Sequence, residues 1–204
     1  RQVRPTATIV GVGRVEDVGK VFTAELKVVG SLLVVIGDTL PEIGASEYLH
    51  RVHGLDHGEV PTPRPSAELR AYRLLREAAG AGALLSVHDV GLGGLSVAVA
   101  EMAVAGRLGA VVDLENVPQR GVTRLDELMF SETQARYLLE IQQDRAGEIL
   151  KLAEKHSVPA AVIGRVVDGG ELVFRWRGRE VASFSLEELM DVYEGVLPRL
   201  LEGW

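Results

Sequence analysis

Cysteine is absent from the 204 residues of the chain. Its absence excludes disulfide bonds, thiolate nucleophiles and cysteine-based metal sites together. A chain without disulfides fits the reducing environment of the cytosol. We therefore expect the protein in the cytoplasm.

Long apolar runs and clusters of basic residues are also missing. No apolar run approaches the ~20 residues that a membrane-spanning helix needs, and residues 1–5 lack the apolar segment of a signal peptide. The formal net charge is −7, and the sequence contains no clustered run of basic residues. This charge argues against nucleic acid and against an anionic membrane as partners.

The composition is that of a globular protein, with 47% hydrophobic and 25% charged residues. A chain of 204 residues suits one large domain, or one domain with an appendage. At this length roughly 70% of the unfolded surface becomes buried, so we expect a substantial core. Because the chain begins with Arg1 rather than Met, we also expect it to be a piece of a longer protein.

Strands and helices mix along the chain without strict alternation. Short apolar runs predict strands at 6–15, 31–37, 83–89, 110–114, 136–141, 160–167, 171–176 and 180–184. Amphipathic or small-residue segments predict helices near 47–49, at 66–80, 95–106, 124–129 and 144–156, and from 185 onward. The section 162–184 is typical of an antiparallel meander. The predicted fold class is α+β, a mixed or antiparallel sheet covered by helices.

The segment 87–95 carries the strongest local signal for a ligand site. A strand ends at Asp89, and Gly91, Gly93 and Gly94 follow before a helix begins. Glycines let the backbone approach a ligand closely, and a helix start favours a phosphate. Asp89 beside a phosphate makes sense if magnesium lies between them. The alternative is a tight turn in which Asp89 caps the helix and the glycines allow packing, and the local pattern alone favours that alternative.

A second polar constellation follows Ser131. Glu132, Thr133 and Gln134 are consecutive side chains that donate and accept hydrogen bonds, so they are candidates for gripping a polar ligand. The alternative is an ordinary polar loop with Ser131 as a local cap. Taken alone, the composition of this segment favours the loop.

Three histidines near one helix form a weaker candidate, for a metal site. Glu47 and His50 share a helix face, as do His50 and His53. However, Gly54 is expected to end the helix before His57. We therefore do not expect zinc here.

Four segments together resemble one known family, the large subunit of phosphoribosylformylglycinamidine synthase. Segment 86–102 resembles its "HD…GGL…A…E" run, and 128–137 resembles its "LFSESQ-R" run. Segment 5–13 resembles "PTPVIGMVG", and 44–49 resembles "GGSEYL". The four occur in the right order over nearly the whole chain.

The resemblance implies a particular place in a larger protein. That family's large subunit contains two copies of a two-domain unit, and this chain resembles the C-terminal domain of the second copy. Residues 1–27 would then be the terminal strand and linker of the preceding N-terminal-type domain, and 28–204 the C-terminal-type domain. The implied fold is that of the aminoimidazole ribonucleotide synthetase C-terminal domain.

The resemblance also implies an activity for the full-length protein. This activity is the ATP-dependent amidation of formylglycinamide ribonucleotide in purine biosynthesis, with ammonia derived from glutamine. ATP activates the amide oxygen by phosphorylation, and ammonia then displaces phosphate. The implied cofactors are ATP and Mg²⁺, with ADP at a structural site. The implied partners are the missing N-terminal part of the polypeptide, a glutaminase subunit and a small accessory subunit.

The resemblance also implies which residues of this chain form the site, through the segments that match the family. Asp89 becomes the metal candidate, and no catalytic residue falls within the chain, so we expect the piece alone to be inactive. The ligand-binding candidates are Gly91, Gly93, Gly94, Glu132, Thr133 and Gln134. The chain departs from the family at Gly91 and Leu92, where serine and an acidic residue are common.

Two alternatives stay open. The first is another synthetase of the same superfamily, of the aminoimidazole ribonucleotide synthetase, selenophosphate synthetase or thiamine-monophosphate kinase type. Segments 44–49 and 131–134 favour phosphoribosylformylglycinamidine synthase over these. The second is a non-catalytic scaffold half. A cavity shared by Asp89 and Glu132 would favour a ligand site over a scaffold. With its partner domain absent, we also expect an exposed apolar face and self-association.

Overall fold

The computed structural model describes residues 8–15 and 17–201, which build one seven-stranded sheet in the order β2-β4-β1-β5-β3-β6-β7. Its strands are β1 Leu32–Ile36, β2 Ser86–Asp89, β3 Gly109–Asp113, β4 Tyr137–Ile141, β5 Ala160–Val167, β6 Glu171–Trp176 and β7 Arg179–Ser185. All neighbouring strands are antiparallel except the parallel pair β3 and β6. The predicted α+β class with a mixed sheet is confirmed.

Six α-helices lie in the described part of the chain. They are α1 Glu47–His53, α2 Pro65–Gly80, α3 Gly94–Gly106, α4 Leu125–Phe130, α5 Ala146–His156 and α6 Leu186–Leu201. Short 3₁₀ turns occupy Val18–Lys20, Leu114–Asn116 and Gln143–Arg145. Within the described residues, no helix has the length and apolar character to cross a membrane.

Helices cover both faces of the sheet, and the central strand β1 shows why. Side chains alternate between faces along a strand, so Leu33 and Val35 belong to one core and Val34 and Ile36 to the other. The first core packs against α3 and α4, and the second against α2 and α5. All four side chains are fully buried, which accounts for the continuous apolar run in the sequence.

Two predicted features differ from the structure. Residues 8–15 form no strand, and the first two residues of the predicted strand 6–15 lie outside the described residues. The meander is wrong in part, because β3 lies between β5 and β6 and only β6 and β7 form a hairpin. Gly164 of β5 lets β3 lie directly beside β5, because a Cβ at this position would come within 2.2 Å of the Val111 carbonyl oxygen on β3.

The predicted boundary between residues 27 and 28 stays a prediction, and the chain close to it is firmly attached to the sheet. Leu26 is buried in the core beside α3, and its N–H donates to the Met102 carbonyl at 3.0 Å. The Gly106 backbone lies so close to Leu26 that a Cβ would come within 2.2 Å of its carbonyl oxygen. The segment leading into β1 therefore packs as part of the domain.

A buried carboxylate ties this segment to the sheet. Glu140, on β4, is completely buried and accepts hydrogen bonds from the N–H groups of Lys27 (2.9 Å) and Val28 (2.8 Å). It also accepts from the hydroxyls of Ser31 (2.7 Å) and Ser86 (2.8 Å). Its oxygens thus satisfy donors from two chain segments, residues 27–31 and β2, which compensates the cost of burying the charge.

Replacing Glu140 with alanine should destabilise the fold strongly. The substitution leaves four buried or half-buried donors without an acceptor, and we expect a loss of about 3–5 kcal/mol in the free energy of unfolding. Urea denaturation measures it. The matched control is Glu154→Ala, which removes an exposed carboxylate from α5. Equal stability of the two variants would contradict this role for Glu140.

Candidate functional site

The glycine-rich turn lies at the edge of the sheet, after β2. Asp89 ends this edge strand, opposite Tyr137 of β4. The next residues make a compact turn in which the Gly94 N–H donates to the Gly91 carbonyl at 3.1 Å. Gly93 and Gly94 have φ values of 76° and 71°, a region that favours glycine. The strand, turn and helix predicted from the sequence are therefore present.

The amide groups of this turn divide into two sets. The N–H of Val90 donates to the Arg136 carbonyl, and the N–H of Gly93 donates to Glu132 Oε1. The N–H groups of Gly91 and Leu92 make no hydrogen bond to another described residue. Only the latter two amides are therefore available to a ligand.

Gly94 has a packing role. A Cβ at this position would lie 2.6 Å from the Ser131 carbonyl oxygen and 2.8 Å from the Phe130 Cα. The start of α3 therefore lies directly against the end of α4, and only glycine fits between them. Gly93 and Gly94 lie behind the cavity described below and do not line it.

Glu132 joins two helix starts with one carboxylate oxygen. Its Oε1 accepts from the Gly93 N–H and from the Glu47 N–H, both at 2.9 Å. Gly93 is the N-cap of α3, and Glu47 is the first residue of α1. A negative charge is favourable at a helix N-terminus, so Glu132 stabilises both. The Gly93 N–H, one of the turn amides expected to bind a phosphate, is therefore already bonded within the protein.

Thr133 and Gln134 take opposite positions. Thr133 is buried, and its hydroxyl accepts from the Leu40 N–H at 3.1 Å and lies 2.8 Å from Ser131 Oγ. Gln134 is exposed and makes no hydrogen bond within the described residues. Of the two, only Gln134 is accessible to a ligand in this arrangement.

A buried arginine holds the loop in this shape. The Arg136 guanidinium donates to the Thr133 carbonyl at 2.9 Å, to Thr39 Oγ1 at 3.0 Å and to the Ser131 carbonyl. Burial lowers the pKa of Arg136 to about 10, against the opposing influence of Glu42 and Glu132. The group is therefore still a cation near neutral pH.

These elements enclose a cavity of about 390 Å³. Four of the predicted site residues line it, and the turn and the loop 132–137 meet there. The lining comprises Pro61, Glu68, Asp89, Val90, Gly91, Leu92, Glu132, Gln134, Ala135, Arg136 and Tyr137. Three carboxylates against one guanidinium give the wall a negative charge, which suits a cation or a cation-bearing ligand.

Among the wall residues that the sequence analysis did not single out, Glu68 and Tyr137 form a hydrogen-bonded pair. Glu68 of α2 accepts from the Tyr137 hydroxyl at 2.9 Å and from the Ala135 N–H at 3.0 Å. Burial, this hydrogen bond and the nearby charges of Glu68 and Asp89 raise the pKa of Tyr137 to about 12. Tyr137 is therefore a hydrogen-bond donor at neutral pH. No local signal marks either residue, because α2 and β4 meet only in the fold.

Asp89 presents the most accessible carboxylate of the cavity. Its side chain is 76% exposed, and His88 Nδ1 lies 3.5 Å from Asp89 Oδ1. His88 Nε2 lies 3.1 Å from Glu101 Oε2 on α3, so His88 packs away from the cavity. The Asp89 oxygens are open to a ligand or a metal ion.

Ready-made metal centres are not found in the described residues. No group of three or more histidine, aspartate or glutamate side chains among residues 8–15 and 17–201 is placed to hold a metal ion. In the histidine segment, His50 pairs with Asp56, and the His53 ring contacts Tyr48 edge-on at 5.2 Å. A metal at Asp89 would need further ligands from waters and a bound molecule.

The chain belongs to the family described as AIR synthase related protein, C-terminal domain, whose model matches residues 28–177. Curated relatives named phosphoribosylformylglycinamidine synthase subunit PurL include that of Moorella thermoacetica, 40% identical over 98% of this chain, and that of Caldivirga maquilingensis, 37% identical over 95%. The chain spans only 26% of the length of each. The resemblance seen in the four segments is confirmed.

Solved structures agree on the fold. Thermotoga maritima PurL complexed with FGAR has a TM-score of 0.77 and 24% identity, over 85% of this chain and 30% of that chain. Escherichia coli HypE, a hydrogenase maturation protein, has a TM-score of 0.58 and 23% identity, over 81% of this chain and 52% of that chain. At these identities the likeness establishes the fold alone.

Replacing Glu132 with alanine should loosen the two helix starts. Both N–H groups lose a charged acceptor, and we expect amide hydrogen exchange at Gly93 and Glu47 to become about tenfold faster or more. Exchange measured by NMR resolves the two amides. The control is Gln134→Ala, which removes an exposed side chain from the same loop. Unchanged protection of both amides in Glu132→Ala would refute the assigned contact.

Proposed function

We propose that this chain is the C-terminal part of a phosphoribosylformylglycinamidine synthase large subunit. The full-length protein would carry out the ATP-dependent amidation of formylglycinamide ribonucleotide in purine biosynthesis. The observation that carries the proposal is the cavity shared by Asp89, Gly91, Glu132 and Gln134. These residues lie in the two segments on which the family resemblance rests most firmly.

The cavity suits a magnesium-bound nucleotide. Magnesium binds one or two carboxylates and completes its shell with water and phosphate oxygens, so the lack of a three-ligand centre is compatible with it. Asp89 would hold the ion, and the amides of Gly91 and Leu92 would donate to the ligand beside it. When bound, magnesium would neutralise phosphate charge. Gln134 would contact the ligand from the opposite wall.

The chain's own part in the reaction is binding and orientation. Among the described residues, the cavity offers Asp89, Glu68 and Glu132 as acceptors and Tyr137 and Gln134 as polar contacts, and we assign none of them a proton-transfer step. The chemistry would require groups from the rest of the polypeptide. We therefore propose that this piece is inactive alone, and that a glutaminase and a small accessory subunit supply ammonia in a cytoplasmic complex.

A second candidate function, a non-catalytic scaffold half, is favoured by a specific observation. Glu132 Oε1 and the Thr133 hydroxyl are both used in contacts within the protein. In that case the cavity would bind nucleotide for stability, or would bind nothing.

Melting the chain with and without Mg²⁺ and ADP tests whether the cavity binds a nucleotide. Ligand at ~100 times its dissociation constant stabilises a protein by about 2.7 kcal/mol, and we expect a clear rise in melting temperature. Asp89→Asn should abolish the rise, because the open carboxylate is lost. The matched control is Asp168→Asn, which changes an exposed aspartate in the turn between β5 and β6. No rise, or an equal rise in Asp89→Asn, would contradict the proposed site.

An exposed apolar surface on this chain is evidence for contact with another domain. A groove of about 670 Å³ runs between α3, α6 and the outer strands, and Phe174, Phe184 and Val196 contribute to it. Val192 and Tyr193 of α6 also line the groove and are 67% and 65% exposed. Apolar side chains contiguous in this way mark interaction surfaces. We propose that the rest of the polypeptide covers them.

Without that cover, the isolated chain should self-associate. Sedimentation velocity over a range of concentrations should give a rising average mass. Val192→Glu combined with Val196→Glu should restore a monomer, because it places two charges on the apolar face of α6. Glu194→Lys is the control, since it changes the charge of the same helix outside that face. A monomer at all concentrations in the native chain would contradict this surface role.

A further inference from the structure

A second cavity lies beside the first, at the start of α2. Its volume is about 340 Å³, and Gln134 and Ala135 form a wall common to both cavities. The residues that line the new cavity include three arginines, Arg64, Arg70 and Arg120, and one acidic residue, Asp38. Its charge is therefore opposite to that of the first cavity.

The three arginines differ in how far their charge is compensated. Arg64 is paired with Glu42, with NH2 to Oε1 at 2.6 Å and NH1 to Oε2 at 3.0 Å. Arg120 donates through Nε to Asp38 Oδ2 at 2.7 Å. Arg70 donates through Nε to a neutral group, the Ser157 carbonyl, at 3.2 Å, and has no carboxylate partner among the described residues. Arg70 is thus the uncompensated cation of the cavity.

Arg70 and Arg120 keep hydrogen-bond donors that a ligand in this cavity could use. The terminal nitrogens of Arg70 and Arg120 make no hydrogen bond to another described residue, while the Nε contacts fix the plane of each guanidinium. A planar guanidinium with two free N–H ends matches the oxygens of a phosphate. Ser66, in the first turn of α2, contributes an exposed hydroxyl to the same wall.

We propose that this cavity binds a phosphate monoester, with its phosphate between Arg70 and Arg120. The remainder of the ligand extends toward Gln134, whose amide group has no partner within the described residues. The proposal rests on the guanidinium groups and the cavity, and it does not depend on the proposed function of the acidic cavity. The phosphate of a sugar and that of a nucleotide share this chemistry, and the experiment distinguishes them.

Binding of ribose 5-phosphate to the 204-residue chain tests the site, in low salt and without magnesium. Line broadening of the ³¹P resonance reports the bound fraction. We expect Arg70→Ala to weaken binding at least tenfold, because the uncompensated charge is lost. Arg70→Lys should weaken it less, since the charge remains but the planar fork is lost. Arg120→Ala, at a largely exposed side chain, should weaken binding several-fold.

Controls separate this site from general anion binding. Arg73→Ala removes an exposed arginine from the same helix and should leave binding unchanged. Binding as tight as that of the native chain in both Arg70→Ala and Arg120→Ala would overturn the proposal, as would a loss in Arg73→Ala equal to that in Arg70→Ala. ADP without magnesium replaces ribose 5-phosphate in a second series, and the tighter ligand identifies the source of the phosphate. Asp89→Asn should retain ribose 5-phosphate binding, so failure of the acidic site and failure of this one are distinguishable.

Discussion

The buried guanidinium of Arg136 is the contact on which the arrangement of the site depends. It draws together two carbonyl groups of the loop 131–135 and the Thr39 hydroxyl from the segment after β1. A planar donor group fixes the directions of all three acceptors at once. The loop cannot move away without leaving donors of a buried charged group unsatisfied, which costs several kcal/mol. Both cavities border on this loop, so both depend on its shape.

The fixed loop decides which of its polar side chains can meet a ligand. Glu132 turns to the starts of α1 and α3, Thr133 turns into the protein, and Gln134 remains exposed. In the sequence the three residues look equivalent, since each is polar and all three belong to one segment of the family resemblance. Their separation into two internal contacts and one accessible group follows from backbone direction, which a residue pattern does not contain.

The sequence was informative where the signal is local. The apolar run of β1, the turn that carries Asp89 and the helix after it all follow from neighbouring residues. The place of β3 between β5 and β6 does not, because strand order depends on long-range packing that a series of apolar runs leaves open. For the same reason Glu68 and Tyr137, 69 residues apart, became recognisable as wall residues only through α2. The Glu140 contacts with Lys27 and Ser31 span even longer separations.

Gln134 lies between the two cavities and lines both of them. One side of it faces a wall with three carboxylates, and the other faces a wall with three guanidinium groups. A charged side chain at this position would be repelled by one wall and drawn into an ion pair with the other. A neutral amide both donates and accepts, so it can contact a ligand from either side without favouring one field. The acidic wall would attract a cation and the basic wall a phosphate, so this separation of charge across a single residue would orient a ligand that carries both.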